Sequence, residues 1–186
     1  DGFLSPMTLC FTITNVDVPG ARAANAADDG FRQLIARARG KYPLLPERMH
    51  FELAPFPIDN ALVINRSGTK LRGVLDGTKP EDMTEAERYS RRQALQIVAA
   101  LREFGGPAFA RVQLGATGPQ VGVRETRRLK GVYVLTEADA LGGSRFDDAI
   151  AWRSGMLDIG FVRYEAMQVH DVPYRALLPE AVDGLL

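Results

Sequence analysis

Gly122-Val-Arg-Glu-Thr-Arg-Arg-Leu-Lys-Gly-Val-Tyr-Val-Leu-Thr136 lies between a glycine-punctuated segment and a short capped-helix signature. Its charges alternate and then give way to the apolar run Val132 to Leu135. Successive side chains of an extended chain point to opposite faces. The stretch therefore predicts a strand over 122–135, with Arg124, Thr126 and Arg128 on one face and Val123, Glu125 and Arg127 on the other. Two guanidinium groups on one face suit a carboxylate or a phosphate. They equally suit a solvated edge strand whose arginines pair with nearby acids, and such pairs contribute little to stability.

Upstream, Phe109 to Leu114 reads as a strand and Gly115-Ala-Thr-Gly-Pro-Gln-Val-Gly122 as a loop. That loop lacks the G-x-G-x-x-G order and no helix follows it, so it is not a dinucleotide fingerprint. Thr84-Glu-Ala-Glu87 has the form of a capping box. It predicts a long helix to about Phe104, with Leu95, Val98 and Leu101, and with them Tyr89 and Ala94, inward and Gly105-Gly-Pro107 as the stop. An earlier helix is expected over Asp28 to Arg39, on the stripe Phe31, Leu34, Ile35 and Ala38, after turn chemistry at Asn15 to Gly20. Met7 to Thr14 alternates as a half-buried strand, with Met7, Leu9, Phe11 and Ile13 inward and Cys10 among threonines as a small packing residue. Met49 to Leu53 and Ala61 to Asn65 read as short strands around Pro55 and Pro57.

Downstream, Thr136-Glu-Ala-Asp139 is a second cap signature, Phe146 to Trp152 a short helix, and Met156 to Phe161 and Pro173 to Leu178 late strands. This irregular order argues for an α+β fold: a mixed, largely antiparallel sheet with one long helix and two or three shorter helices packed on it. Residues 1–186 are expected to form a single domain, since 186 residues with 46 % hydrophobic and 25 % charged side chains is an ordinary soluble composition.

Twenty-three basic residues balance twenty-three acidic ones, which argues against a nucleic-acid or anionic-membrane surface. No apolar run approaches the ~20 residues of a membrane span, and no secretory signal opens the chain. The single cysteine suits a reducing cytoplasm, so a cytoplasmic location is expected. The chain begins Asp1-Gly2 and stops in Val182-Asp-Gly-Leu-Leu186, apolar residues that read as the start of a buried strand. We therefore expect a fragment of a longer protein.

Four ordered segments carry a resemblance: Gly122-Val-Arg-Glu-Thr-Arg-Arg128, Tyr133-Val-Leu-Thr-Glu-Ala-Asp139, Arg145-Phe-Asp-Asp-Ala-Ile-Ala151 and Asp171-Val-Pro-Tyr-Arg-Ala-Leu-Leu-Pro179. Together they resemble the C-terminal half of a family of bacterial FAD-dependent oxidoreductases, and Met7 to Thr14 resembles the family's entry into its substrate-side domain. The resemblance implies a parent flavoenzyme that binds FAD through a separate domain of the same chain. It implies that this piece covers the flavin, receives a small-molecule substrate and has no flavin site or activity of its own. An exposed apolar interdomain face, able to form a dimer, is a further consequence.

A flavin dinucleotide site needs a glycine-rich strand-to-helix turn and an acid some 20 residues on, and the sequence has neither. The substrate- or flavin-facing candidates are Arg124, Arg127, Arg128, Tyr174 and Arg175, with Arg124, Arg128 and His170 considered for catalysis. The arginines would hold an anionic group or stabilise a reduced flavin, and His170 would act as acid or base unless it is a surface histidine. Arg175 equally suits a salt bridge to the flavin-binding domain. His50 reads as structural, and Asp147-Asp148 as helix-terminal acids. Two separated histidines and one cysteine exclude a dedicated zinc or iron site, and no G-x-S-x-G elbow marks a hydrolase. The alternative is a non-catalytic α+β domain that binds a small anion through Arg124 and Arg128, or one that binds a partner protein.

Overall fold

Leu9, Phe11 and Ile13 are almost fully buried, and the alternation that places them on one face is realised as strand β1 (Thr8–Thr14). The computed structural model describes residues 4–49, 59–124, 126–159, 163–182 and 184. The chain forms two compact units, residues 1–126 and 127–186.

In the first unit β1 is the centre of an antiparallel sheet of order β2-β1-β3, flanked by β2 (Ala61–Gly68) and β3 (Gln113–Thr117). Phe11 pairs with Ile64 and Ile13 with Leu62 on one side; on the other, Ile13 pairs with Leu114. Helix α3 (Pro80–Phe104) packs across this sheet. Its inward residues Ala94, Ile97, Val98 and Leu101 share one core with Phe11, Ile13, Leu62 and Ile64. Full burial of each large aliphatic or aromatic side chain contributes roughly 1.5–3 kcal/mol, which makes this layer the main source of stability in the unit. At Gly68 the chain passes close to itself, since a Cβ there would stand 2.1 Å from the Met7 carbonyl oxygen.

Several expected boundaries shift. Helix α3 starts at Pro80, four residues before Thr84, because proline suits the first turn and Glu81 and Asp82 complement the dipole there. The Thr84 hydroxyl instead donates to the Pro80 carbonyl at 2.9 Å, and the Glu87 carboxylate accepts from the Val121 amide at 2.6 Å. Leu95 is 59 % exposed, because the buried stripe runs through Ala86, Ser90, Gln93, Ala94, Ile97 and Leu101. The helix expected over 28–39 is α2 (Arg32–Ala38), and its stripe Phe31, Leu34, Ile35 and Ala38 is buried as read. The Asp28 carboxylate caps it through the Gln33 and Leu34 amides.

Before α2 lies a helix not expected from the sequence, α1 (Val18–Ala27), whose first three residues fall in the stretch read as turn chemistry; the Asp17 side chain caps it on the Gly20 amide. Left-handed Asp29, Gly30 and Phe31 separate the two helices. Phe109 lies in a short 3-10 turn (Pro107–Phe109), and β3 starts only at Gln113. Residues 50–53 of the strand expected at 49–53, and His50 with them, lie outside the described residues. Met49 is buried and in no strand.

The second unit holds α4 (Glu137–Gly142) and a two-stranded antiparallel sheet of β4 (Ala149–Ile159) and β5 (Arg163–Pro173). The Thr136 cap signature is realised in full, with reciprocal bonds between Thr136 and Asp139. The helix expected at 146–152 is not formed: Ala149 and Ala151 pair with Pro173 and Val172 as the start of β4. Residues 173–178, expected as a strand, hold a 3-10 turn at Tyr174–Ala176.

The strand expected over 122–135 is also absent among the described residues. The backbone makes isolated bridges at Gly122 to Thr8 and at Gly131 to Pro179, with no ladder between them. A strand needs a neighbour and a face to bury, and Arg124, Arg127, Arg128 and Lys130 are all exposed. The α+β class holds, with one long helix and three shorter α-helices among the described residues, while the strands divide into two antiparallel sheets. No described helix is long and apolar enough to cross a membrane.

Candidate functional site

In the first unit the side of β1 away from the core carries Thr8, Cys10, Thr12 and Thr14. The threonines are half-buried, and Cys10, expected as a packing residue, is exposed. Val63 and Asn65 of β2 are half-buried, and the Thr12 hydroxyl accepts from the Ala116 amide at 2.9 Å. Its described side chains are mostly small and polar, with Val63 beside Thr12.

In the second unit two acid–arginine pairs lock the loops around the hairpin. Asp171 is 6 % exposed. Its carboxylate accepts from Arg145 at 2.7 Å and from the Phe146 amide at 3.0 Å. The Arg145 guanidinium first, and then the Phe146 amide, hold this carboxyl below the usual range. Asp148 accepts from the Arg175 guanidinium and from its backbone amide. Arg175 also lies over the rings of Tyr133 and Phe146, at 4.9 and 5.2 Å. Those rings meet edge-on at 5.2 Å, so cation–π contact and ion pairing hold one guanidinium in place.

The Tyr133 hydroxyl donates to Asp139 at 2.8 Å, which raises the Tyr133 pKa. The Thr136 amide and hydroxyl, with that tyrosine, hold Asp139 far below the usual carboxylate range.

Of the candidates read from sequence, Tyr174 and Arg175 are brought together with Tyr133, Phe146 and Asp148; Tyr174 donates its amide to the Asp148 carbonyl at 2.8 Å. Arg175 finds its acid inside the unit, at Asp148. His170 is not a surface histidine: it is 3 % exposed, with Nδ1 3.0 Å from the Gln168 carbonyl oxygen. Arg124, Arg127 and Arg128 are exposed in irregular chain, and Arg124 belongs to the first unit while the other two belong to the second. The shared-face argument for Arg124 and Arg128 therefore falls with the strand. Glu125 lies outside the described residues.

Sequence reasoning missed Arg145, Asp148 and Asp171 as a network. The partners stand 26 and 27 residues apart, a spacing that only the hairpin closes. The helix expected at 146–152 had assigned Asp148 to a dipole instead.

The sequence model described as FAD dependent oxidoreductase matches residues 1–186. The chain belongs to the FAD-dependent oxidoreductase family. No curated protein and no solved structure matches it.

Family membership implies FAD, and the described residues can be tested against it. A dinucleotide pyrophosphate normally sits on free amides at a helix N-terminus. Each described α-helix of this FAD-dependent oxidoreductase chain already has acid there. Asp17 caps α1 and the Asp28 carboxylate takes two amides of α2. Glu81 and Asp82 occupy the first turn of α3, and Glu137 and Asp139 that of α4. All strand pairs among the described residues are antiparallel, so no βαβ crossover is present there. The described residues do not fit the dinucleotide end of FAD. Nor do they include three or more metal-ligating side chains in one group.

Proposed function

We propose that residues 1–186 supply the substrate-side part of an FAD-dependent oxidoreductase, shaping the pocket over the flavin while another part of the parent chain holds the dinucleotide. The observation that carries this reading is the acidic capping of every described α-helix N-terminus in a chain of an FAD-dependent family. The polar face of Thr8, Cys10, Thr12 and Thr14 supports it as a wall against a ring system. The exposed Ile150, Trp152 and Val169 of the hairpin support an apolar contact with the flavin-binding part of the same chain or with a second copy. The substrate is a small molecule. In the second unit Arg127 and Arg128 are the side chains proposed to face it, with Tyr174 and Arg175 setting the local shape and charge; in the first unit Arg124 is proposed as a candidate in its own right.

The test uses the parent enzyme. It purifies yellow with bound FAD, and Arg124→Ala or Arg128→Ala lowers its turnover while unfolding free energy changes by no more than ~0.5 kcal/mol, as for most surface substitutions. Unchanged turnover with collapsed stability would make the arginines structural. A colourless parent would remove the reading altogether.

A further inference from the structure

At one end of the three-stranded sheet of the first unit lies an open cleft of about 620 Å³. The end of β1, the turn before β2, the C-terminal turn of α3 and the segment entering β3 converge on it. Its polar lining is Asn15, Asp17, Asn60, Arg102, Arg111 and Gln113. Two backbone bonds fix the rim, from the Val16 amide to the Asn60 carbonyl and from the Asp17 amide to the Ala108 carbonyl, each at 3.1 Å.

The charges of this cleft do not balance. Arg102 donates from Nε and Nη2 to the Val112 carbonyl, at 3.2 and 2.6 Å, which fixes its guanidinium plane without neutralising it. Neither Arg102 nor Arg111 forms an ion pair with a described residue. Arg32, Arg48, Arg72 and Arg91 of the same unit each face a carboxylate, whereas Arg102 and Arg111 leave their charge to the cleft. The one acid among the described lining residues, Asp17, is already turned to the N-terminus of α1 through the Gly20 amide. Three carboxamides complete the wall, and each can both donate and accept. No aromatic side chain lines the cleft among the described residues.

We propose that this cleft binds a small hydroxylated oxyanion, with Arg111 and Arg102 holding a carboxylate or phosphate and Asn15, Asn60 and Gln113 reading the hydroxyl groups. Its volume lies within the roughly 300–1,000 Å³ of small-molecule sites. Its described lining is polar and offers no ring on which a nucleobase or a flavin would stack, so the ligand class it favours differs from FAD. The site goes beyond the flavin reading and is tested without FAD.

Isothermal titration of the 186-residue chain with tartrate, and separately with inorganic phosphate, measures it. The expected result is saturable one-to-one binding of at least one of the two. Arg111→Ala should weaken it by about tenfold or more (~1.4 kcal/mol), and Arg37→Ala, on the exposed side of α2, should leave it unchanged. Arg111 is exposed and bonded to no described residue, so its removal leaves the fold intact by circular dichroism. If tartrate is the ligand, Gln113→Ala weakens tartrate while succinate, which lacks the hydroxyls, binds more weakly than tartrate from the start. No saturation by either probe below about 10 mM, equal affinity in Arg111→Ala, or an equal loss in Arg37→Ala would overturn the proposal.

Discussion

Gln93 does more for the first unit than its polarity suggests. It is 1 % exposed on the inner side of α3, donates to the Leu44 carbonyl at 2.7 Å and accepts from the Gly68 amide at 2.7 Å. One turn later Gln96 accepts from the Leu44 amide at 2.8 Å. Two side chains of one helix thus satisfy backbone groups that neither strand nor helix can reach. Gln93→Ala leaves both its partners short of a bond, so urea denaturation should show a loss of about 1–3 kcal/mol for each orphaned group that stays dry. The sequence did not flag Gln93, because hydrophobic periodicity does not register a polar residue whose partners lie 25 and 49 positions away. In the second unit the residue-scale consequence is pH dependence. Asp171 and Asp139 titrate lower in the folded chain than in the unfolded one. Their contribution is therefore complete above the unfolded value of about 3.9 and is lost as pH falls below it. Stability followed from pH 6 to pH 2 should drop through the acid range, and Asp171→Asn should flatten that slope. An unchanged slope in the variant would show that Arg145 contributes nothing through this pair.

Helix α3 separates what a pattern reveals from what it hides. A stripe through Val98 and Leu101 is visible from spacing alone, and both are buried. The same spacing assigns Leu95 inward, yet the stripe is centred on small residues, Ala86, Ser90, Ala94 and Ala100, which let the helix approach the sheet closely. Small residues carry little hydrophobic signal, so the phase of the stripe was misjudged. The pair makes a direct comparison: Leu101→Ala should cost about 2–5 kcal/mol, and Leu95→Ala no more than ~0.5 kcal/mol, by chemical denaturation. Similar costs at the two positions would mean that Leu95 is covered in solution. β1 was legible because strict alternation and fully buried partners agree. The stretch 122–135 was misread because alternating charge mimics a strand without a ladder to join, and Gly131, with Ala176 backbone 2.9 Å from its would-be Cβ, marks a close crossing instead. The convergence of Arg145, Asp148, Asp171 and Arg175 depends on the β4–β5 hairpin, which a reading of 146–152 as helix could not form.

At the scale of the molecule, the described strands are all antiparallel and the described α-helices all carry acid at their N-termini. The α+β class was readable from the irregular order of elements, and FAD-dependent oxidoreductase membership from four ordered segments that the match over residues 1–186 now covers. The cleft of Asn15, Asn60 and Arg111 was not readable, since it joins four places in the chain, none of which carries a motif. The central proposal is that this chain, a member of an FAD-dependent family, leaves the dinucleotide to another part of its parent. Titration of the 186-residue chain with FAD, followed by flavin fluorescence and equilibrium dialysis, tests it most directly. The account predicts no saturation up to about 1 mM FAD, an interaction weaker than about −4 kcal/mol. Saturable one-to-one binding below that concentration would contradict it.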